Sequence, residues 1–374
     1  MKIKLSALHD AIDFDYSPAE LSAKLTDIGI EVESYEETVP TFRDVFVGRV
    51  TRTAPHPTHS KLTCVDLDLG TKGMVSVCTA ATNVHEADSV PVVLPGGMVA
   101  SSRAEITARR FGDMTSCGML CSWRELGLES ELLTAEEKDG ILHLASDVPN
   151  GARFEDTWPF ADTALNISIT PDRGDALSVL GLARWIEILR ARDEKRPFND
   201  SNLHFHSPAN LPPSREDGEL SVSIENDSLC SLYIGVLMQD VVMAKPSCTF
   251  RNRLYKLGIR PVNSIVDVTN ICLKAYGQPT HAFDYDRIQE HQIVVRPSSQ
   301  GEAIVTLDGT ARPLEPGMLI IADALRPIAV AGVMGGLETS VTSDTRRVVL
   351  EIAHFDPRAV AHSSRHLGRK TDAA

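Results

Sequence analysis

Apolar positions recur along this chain with a helical rhythm at its start and near residue 180, and with strand rhythms in between and after. Leu21, Leu25 and Ile28 fall at helical spacing behind Ser17-Pro18, an N-cap followed by a proline suited to the first helical position, and Gly29 stops the run. Ile30-Glu31-Val32-Glu33 then alternates as a strand does. Between 42 and 100, Phe46–Val50, Leu62–Leu69 and Val90–Leu94 are short β-branched or alternating runs. His56-Pro57, Gly70–Gly73 and Pro95-Gly96-Gly97 separate them as turns, the pattern of a small barrel or sandwich. Leu177, Leu180, Leu182, Ile186 and Leu189 predict a helix over 176–192. Residues 197–218, rich in Pro, Asn, Ser, Asp and Gly, read as a linker, and short strands mixed with helix from 219 to 355 point to a separate α+β domain.

A length of 374 residues suits two or three domains, and a 43% hydrophobic, 24% charged composition is that of a globular chain. No apolar run is long enough to span a bilayer, so no membrane association is expected. Met1–Asp10 has a basic pair but no apolar core, and seven cysteines are irregularly spaced, which makes the cytoplasm the expected location. The net charge of −14 disfavours generic polyanion binding, because that affinity comes from neutralising phosphates. A nucleic-acid partner would need a local basic face.

Residues 42–128 carry, in order, His56–Leu62, Cys78–Val84, Leu94–Gly97, Arg110–Gly112, Ser116–Ser122 and Glu125–Leu128. This series resembles the tRNA-binding domain of the bacterial phenylalanyl-tRNA synthetase beta subunit, of methionyl-tRNA synthetase tails and of related stand-alone proteins. The resemblance implies an OB-type barrel offering a sheet face and loops to RNA. Residues 40–150 hold 10 Lys+Arg against 14 Asp+Glu, a poor balance for an autonomous grip. Lys61, Arg103, Arg109 and Arg110 are the candidate phosphate contacts. Cys117 and Cys121 stand without a second pair at zinc spacing and are expected to be packed thiols, so no metal is expected.

Ile169–Ser178, followed by Gly181-Leu182-Ala183-Arg184, resembles a further stretch of the same subunit. There it joins the N-terminal strand–helix unit into one small domain that the barrel interrupts. Asp172, Arg173 and Asp175 are best explained as a turn network.

The densest chemistry lies in 258–340: Gly258–Asn263, Ile265–Asn270, Gly277–Asp286, Leu307–Thr310 and Ala331–Ser340. These closely resemble the editing domain of that beta subunit. Read as residues, His281 on a loop after a Gly-Gln-Pro turn can exchange a proton near neutrality, and Thr269 and Asn270 supply neutral donors at a strand end. Glu338 offers a carboxylate just past Gly335 and Gly336, whose backbone can approach a ligand closely. No Gly-x-Ser-x-Gly elbow or Cys–His signature is evident, which favours hydrolysis by a positioned water. The resemblance implies that Glu338 recognises a phenol and that His281, Thr269 and Asn270 position water or ester. It further implies that Val333, Gly335 and Gly336 form a wall and that Arg260 touches the terminal nucleotide.

The expected architecture is therefore a multidomain α+β chain. A small discontinuous α+β domain (1–39 with 150–198) carries an inserted OB-type tRNA-binding barrel (40–149). A linker (199–218) leads to an α+β editing domain (219–374). By resemblance this is the N-terminal region of a phenylalanine–tRNA ligase beta subunit, binding the tRNA for phenylalanine and clearing mischarged Tyr-tRNA. It would not aminoacylate alone. The alpha subunit, forming a heterotetramer in the family, is the implied partner. ATP and magnesium are implied only for the complete synthetase, with no cofactor in this chain. The rival expectation is a non-enzymatic tRNA-binding or scaffold fragment.

Overall fold

Strands distant in sequence pair at the base of the first unit. In the computed structural model, which describes residues 1–128, 139–158, 161–204, 218–243 and 246–371, β1 (Lys2–Lys4) and β2 (Glu31–Thr38) both pair antiparallel with β10 (Asp162–Ser168). The chain forms two units, Met1–His204 with Lys245–Val262, and Phe205–Ala244 with Asn263–Ala374. Both mix helix and sheet, as expected of an α+β chain.

Helix α1 (Pro18–Asp27) starts at Ser17, whose side chain accepts from the Glu20 amide while the Glu20 carboxylate returns to the Ser17 amide. That reciprocal cap satisfies donors the helix leaves unpaired, and Leu21 and Leu25 are fully buried. Helix α2 (Val179–Asp193) starts at Ser178, which accepts from the Gly181 amide at 2.9 Å. The Asp175 carboxylate accepts from the Trp185 indole and pairs with Arg173, the turn network anticipated for this stretch.

Between β2 and β10 lies a five-stranded antiparallel sheet in the order β5-β4-β3-β6-β9. Its members are β3 (Arg43–Pro55), β4 (Thr63–Asp68), β5 (Met74–Thr79), β6 (Ser89–Met98) and β9 (Met119–Leu120). A separate hairpin comprises β7 (Arg109–Phe111) and β8 (Met114–Ser116). The five-stranded sheet is buried on both sides: Val45, Val47 and Val93 enter one core, while Phe46, Leu67 and Val92 enter another. That explains why its strands read as near-continuous apolar runs.

Helix α3 (Cys248–Lys256) lies within the 219–374 stretch but groups with the first unit. Its buried Arg251 donates to the His143 carbonyl at 2.8 Å and lies over the Trp123 and Trp158 rings, and Lys4 lies 3.9 Å over the Tyr255 ring. Of the expected linker, 205–217 lie outside the described residues. Its start is packed: Leu203 is buried and the His204 amide donates to Ala11.

The second unit is layered. One sheet runs β11-β14-β17-β18-β19, comprising β11 (Ser221–Ile224), β14 (Gln292–Pro297), β17 (Leu319–Ala322), β18 (Pro327–Val330) and β19 (Met334–Gly335). The other runs β12-β20-β13, with β20 (Val348–Phe355) between β12 (Cys230–Met238) and β13 (Thr280–Asp284). Tyr233, Phe283 and Val349 of the smaller sheet share a core with Ile293, Val295, Ile321 and Ile328 of the larger one. Helix α4 (Ser264–Tyr276) packs Ile265 on Ala282 and Val348, the opposite face of the smaller sheet. Helix α5 (Pro357–Leu367) puts Val360 against Ile320 and Val330.

Candidate active site

Side chains alternate along β13, so Ala282 turns toward α4 while His281 and Phe283 turn toward the layer between the sheets. His281 is therefore a strand residue, not the loop residue expected from its Gly-Gln-Pro flank: Gly277, with φ of 77°, ends α4, and the chain enters β13 at Thr280. The His281 ring meets Phe283 edge-on at 4.5 Å. Its Nε2 is buried and has no hydrogen-bond partner among the described residues.

Gly335 explains how the ring fits. A Cβ at that position would come within 2.4 Å of His281 Cε1 and 2.6 Å of Nε2, so only glycine admits the imidazole there. At Gly336 a Cβ would meet the Ile328 carbonyl oxygen at 2.6 Å, and its amide donates to that carbonyl. Val333 is buried in the core beneath α5. The glycine wall thus lies beside the histidine.

The acid nearest to His281 in the sheet register is Glu351. In the antiparallel pairing His281 stands opposite Glu351 across β13 and β20, and Gly235 stands opposite Glu351 on the other side. Glu351 is buried, and it accepts a hydrogen bond from the Tyr233 hydroxyl at 3.3 Å. Burial pushes the Glu351 carboxyl up to about 8, partly offset by the Tyr233 bond, and pushes the Tyr233 phenol well above its usual value. Burial pulls His281 down to about 4. Burial thus favours the neutral form of both the imidazole and the acid. Neither Glu351 nor Tyr233 was singled out in the sequence. The available signal was a lone carboxylate amid the apolar run Val348–Phe355.

Glu338 lies on the stretch after β19, two residues before Ser340, which bridges Phe283 of β13. It is exposed, its carboxylate pairs with Arg326, and its carbonyl accepts from Arg287. With Arg326, Gly336, Thr339 and Ile304 it lines a groove of about 220 Å³ that His281 does not line. Thr269 and Asn270 lie inside α4 rather than at a strand end. The buried Thr269 hydroxyl is spent on the Val266 carbonyl at 2.8 Å. Arg260 is exposed and belongs to the first unit.

Lys61, Arg103, Arg109 and Arg110 are all exposed in the first unit. Arg109 and Arg110 are successive residues of β7, and Arg110 is tethered by the Gly112 carbonyl and, at 3.8 Å, by Asp113. Cys117 is exposed whereas Cys121 is fully buried beside Trp123, so their environments differ sharply.

Residues 45–153 match the family described as Putative tRNA binding domain, and residues 229–374 match the B3/4 domain family. The two matches follow one another along the chain without overlapping. It is 39% identical over 379 residues to the phenylalanine–tRNA ligase beta subunit of Moorella thermoacetica and 38% identical over 374 residues to that of Gloeobacter violaceus. Those alignments cover 100% of this chain and 45% and 46% of the two relatives, so the chain spans less than half their length. The chain is related over its full length to the N-terminal part of the phenylalanine–tRNA ligase beta subunit. An N-terminal fragment of the Pyrococcus horikoshii phenylalanyl-tRNA synthetase beta-subunit aligns with 53% of this chain and 58% of that chain. Its 12% identity and TM-score of 0.31 are too slight a likeness to bear on the fold.

Proposed function

We propose that this chain binds the tRNA for phenylalanine and that its second unit hydrolyses the ester of mischarged Tyr-tRNA, in support of Phe-tRNA synthesis with an alpha subunit. In this reading the five-stranded sheet is an OB-type barrel inserted into the small β1-β10-β2 domain, and Lys61, Arg103, Arg109 and Arg110 meet RNA phosphates.

The supporting observation is the buried acid that already holds a phenolic hydroxyl one strand away from His281. A phenylalanine pocket rejects the extra hydroxyl of tyrosine by only about a hundredfold. A second pocket with a buried polar group inverts the preference. It binds tyrosine and leaves that group unpaired with phenylalanine, a penalty of about 1–3 kcal/mol. Glu351 takes the phenol-recognition role here in preference to Glu338, whose carboxylate is engaged with Arg326 in solvent. A carboxyl group has acceptor capacity for a second donor beside Tyr233. The neutral His281 offers Nε2 to orient a water or the ester. Gly335 keeps the backbone close to the ring.

The test is loss of ester from Tyr-charged tRNA mixed with the purified chain, comparing wild type with His281→Ala, Glu351→Gln and Glu338→Ala. Hydrolysis that falls in the first two variants and survives in the third is the expected result. Decay equal to that of tRNA alone would remove the enzymatic reading for this chain. The scaffold reading, which the net charge of −14 favours, would then stand if deacylation appeared only with an alpha subunit and a full-length beta subunit.

A further inference from the structure

A second cluster of chemistry lies in the first unit, beside the β7–β8 hairpin that carries Arg109 and Arg110. Cys64 of β4 and Cys78 of β5 are direct partners in the antiparallel ladder. The Cys78 amide donates to the Ser116 hydroxyl at 3.0 Å, so it points away from β4 and the two cysteines form a non-hydrogen-bonded pair. Such pairs bring their side chains closest together, with Cα atoms about 4.5 Å apart. The Cys64 thiol donates to Met114 Sδ of β8 at 3.2 Å. One ligand-capable nitrogen of His56 and the sulfur atoms of Cys64 and Cys78 all lie within 4.8 Å of one another. Cys64 and His56 are buried and Cys78 is half-buried.

His56 is held in one orientation. Its Nδ1 accepts from the Thr58 and His59 amides, each at 3.2 Å, which leaves the proton on Nε2, 3.1 Å from the Phe111 carbonyl. With both nitrogens occupied, the imidazole is a wall of the cluster and the three sulfur atoms are its donors. Two thiols and a thioether are soft ligands, and softness selects monovalent copper over magnesium, calcium or manganese. A thioether adds little for zinc, whose protein sites are built from thiolate, imidazole and carboxylate.

We propose that Cys64, Cys78 and Met114 form a three-sulfur binding site for a monovalent copper ion on the tRNA-binding half of the chain. Binding breaks two S–H bonds, forms two copper–thiolate bonds and a thioether contact, and releases two protons to solvent, with no change in the oxidation state of the metal. Both thiols must lose their protons to bind the ion, so uptake weakens as the pH falls.

The test uses the 374-residue chain carrying Cys117→Ser and Cys272→Ser, which removes an exposed and a half-buried thiol outside the cluster. Monovalent copper is supplied anaerobically with ascorbate and titrated against a chromophoric copper(I) chelator. The expected result is one ion per chain, with about two protons released into weak buffer. Cys64→Ser or Cys78→Ser should weaken binding at least about tenfold, and Met114→Leu, a near-isosteric change that spares the fold, should weaken it several-fold. Zinc should compete poorly. Copper affinity unchanged in Cys78→Ser and Met114→Leu would overturn the proposal, as would zinc binding as tightly as copper.

Discussion

His281 and Glu351 face the same layer from directly opposed positions on β13 and β20, and burial moves their proton affinities in opposite directions. This creates two opposing pH dependences. Glu351, raised to about 8, binds its proton more tightly in the folded state, so its stabilising contribution is complete below its ordinary carboxyl value of 4.5 and is lost as the pH rises toward 8. His281, lowered from 6.5 to about 4, does the reverse: its contribution is complete above 6.5 and is lost as the pH falls toward 4.

Between about pH 4.5 and 6.5 the two slopes therefore offset each other, and between 6.5 and 8 the slope of Glu351 stands alone. Urea unfolding of the wild-type chain at pH 5, 6.5 and 8 should show the second unit losing stability only over the upper interval. In Glu351→Gln that loss should vanish. Destabilisation on acidification from 6.5 to 5, now unopposed, should appear instead. Identical pH profiles for wild type and Glu351→Gln would refute the buried-acid assignment.

Substituting Gly335 tests the packing that seats the imidazole. Gly335→Ala puts a methyl group 2.4 Å from His281 Cε1, and β19 and β13 are held in separate sheets. Overpacking of this kind costs about 1–3 kcal/mol. The expected outcome is a melting transition lowered by several degrees, together with loss of Tyr-tRNA deacylation. Pairing it with His281→Ala, which vacates the space, should recover much of the stability but none of the activity. A Gly335→Ala melting temperature equal to wild type would show that the ring moves aside freely.

The local elements were legible in the sequence wherever one residue dictates a terminus. Ser17-Pro18 begins α1 and Ser178 begins α2, because a side chain caps an amide at each. Site assembly was less legible because it depends on pairing between distant strands. Glu338 stands beside the glycine pair in sequence, but the register across β13 and β20 brings Glu351 next to His281 instead. Likewise, Thr269 and Asn270 read as a strand end because Ile265, Val266 and Val268 are β-branched, yet the Asn263 cap and the Gly277 stop frame a helix there. Helix α3 joins the first unit through Arg251 and Tyr255, whose aromatic partners lie about a hundred residues upstream. No window of sequence contains both.

Arg251 is the residue whose loss should expose that arrangement. It is buried, donates to the His143 carbonyl and lies 5.6 Å over both Trp123 and Trp158. Arg251→Met preserves much of the volume while removing the planar cation and its donors, leaving the His143 carbonyl short of one partner. A loss of about 1–3 kcal/mol is expected. It should appear in urea titrations followed by tryptophan fluorescence, because Trp123 and Trp158 report on this cluster directly. Arg251→Lys should rescue only part of the loss, since an ammonium does not reproduce the guanidinium plane. Full rescue by lysine would reduce the interaction to charge alone.

The proposed RNA binding makes the last demand on an acidic chain. A net charge of −14 means that the whole molecule repels phosphate, so productive contact must come from a few basic side chains acting within a screening length. Arg109 and Arg110 project from successive positions of β7, and successive strand residues face opposite sides, so at most one of them lies on a given face of that hairpin. Arg110 is already tethered to Gly112 and Asp113, which lowers its worth to a phosphate, whereas Lys61 and Arg109 carry no such neighbouring acid in an ion pair among the described residues. Each phosphate contact contributes about 0.7–0.9 to the slope of log affinity against log salt. Lys61→Ala and Arg109→Ala should each flatten that slope by nearly one unit when binding of the tRNA for phenylalanine is measured from low to physiological salt, and Arg110→Ala should flatten it by less. A slope indifferent to Lys61 and Arg109 would move the RNA contact to another face of the first unit.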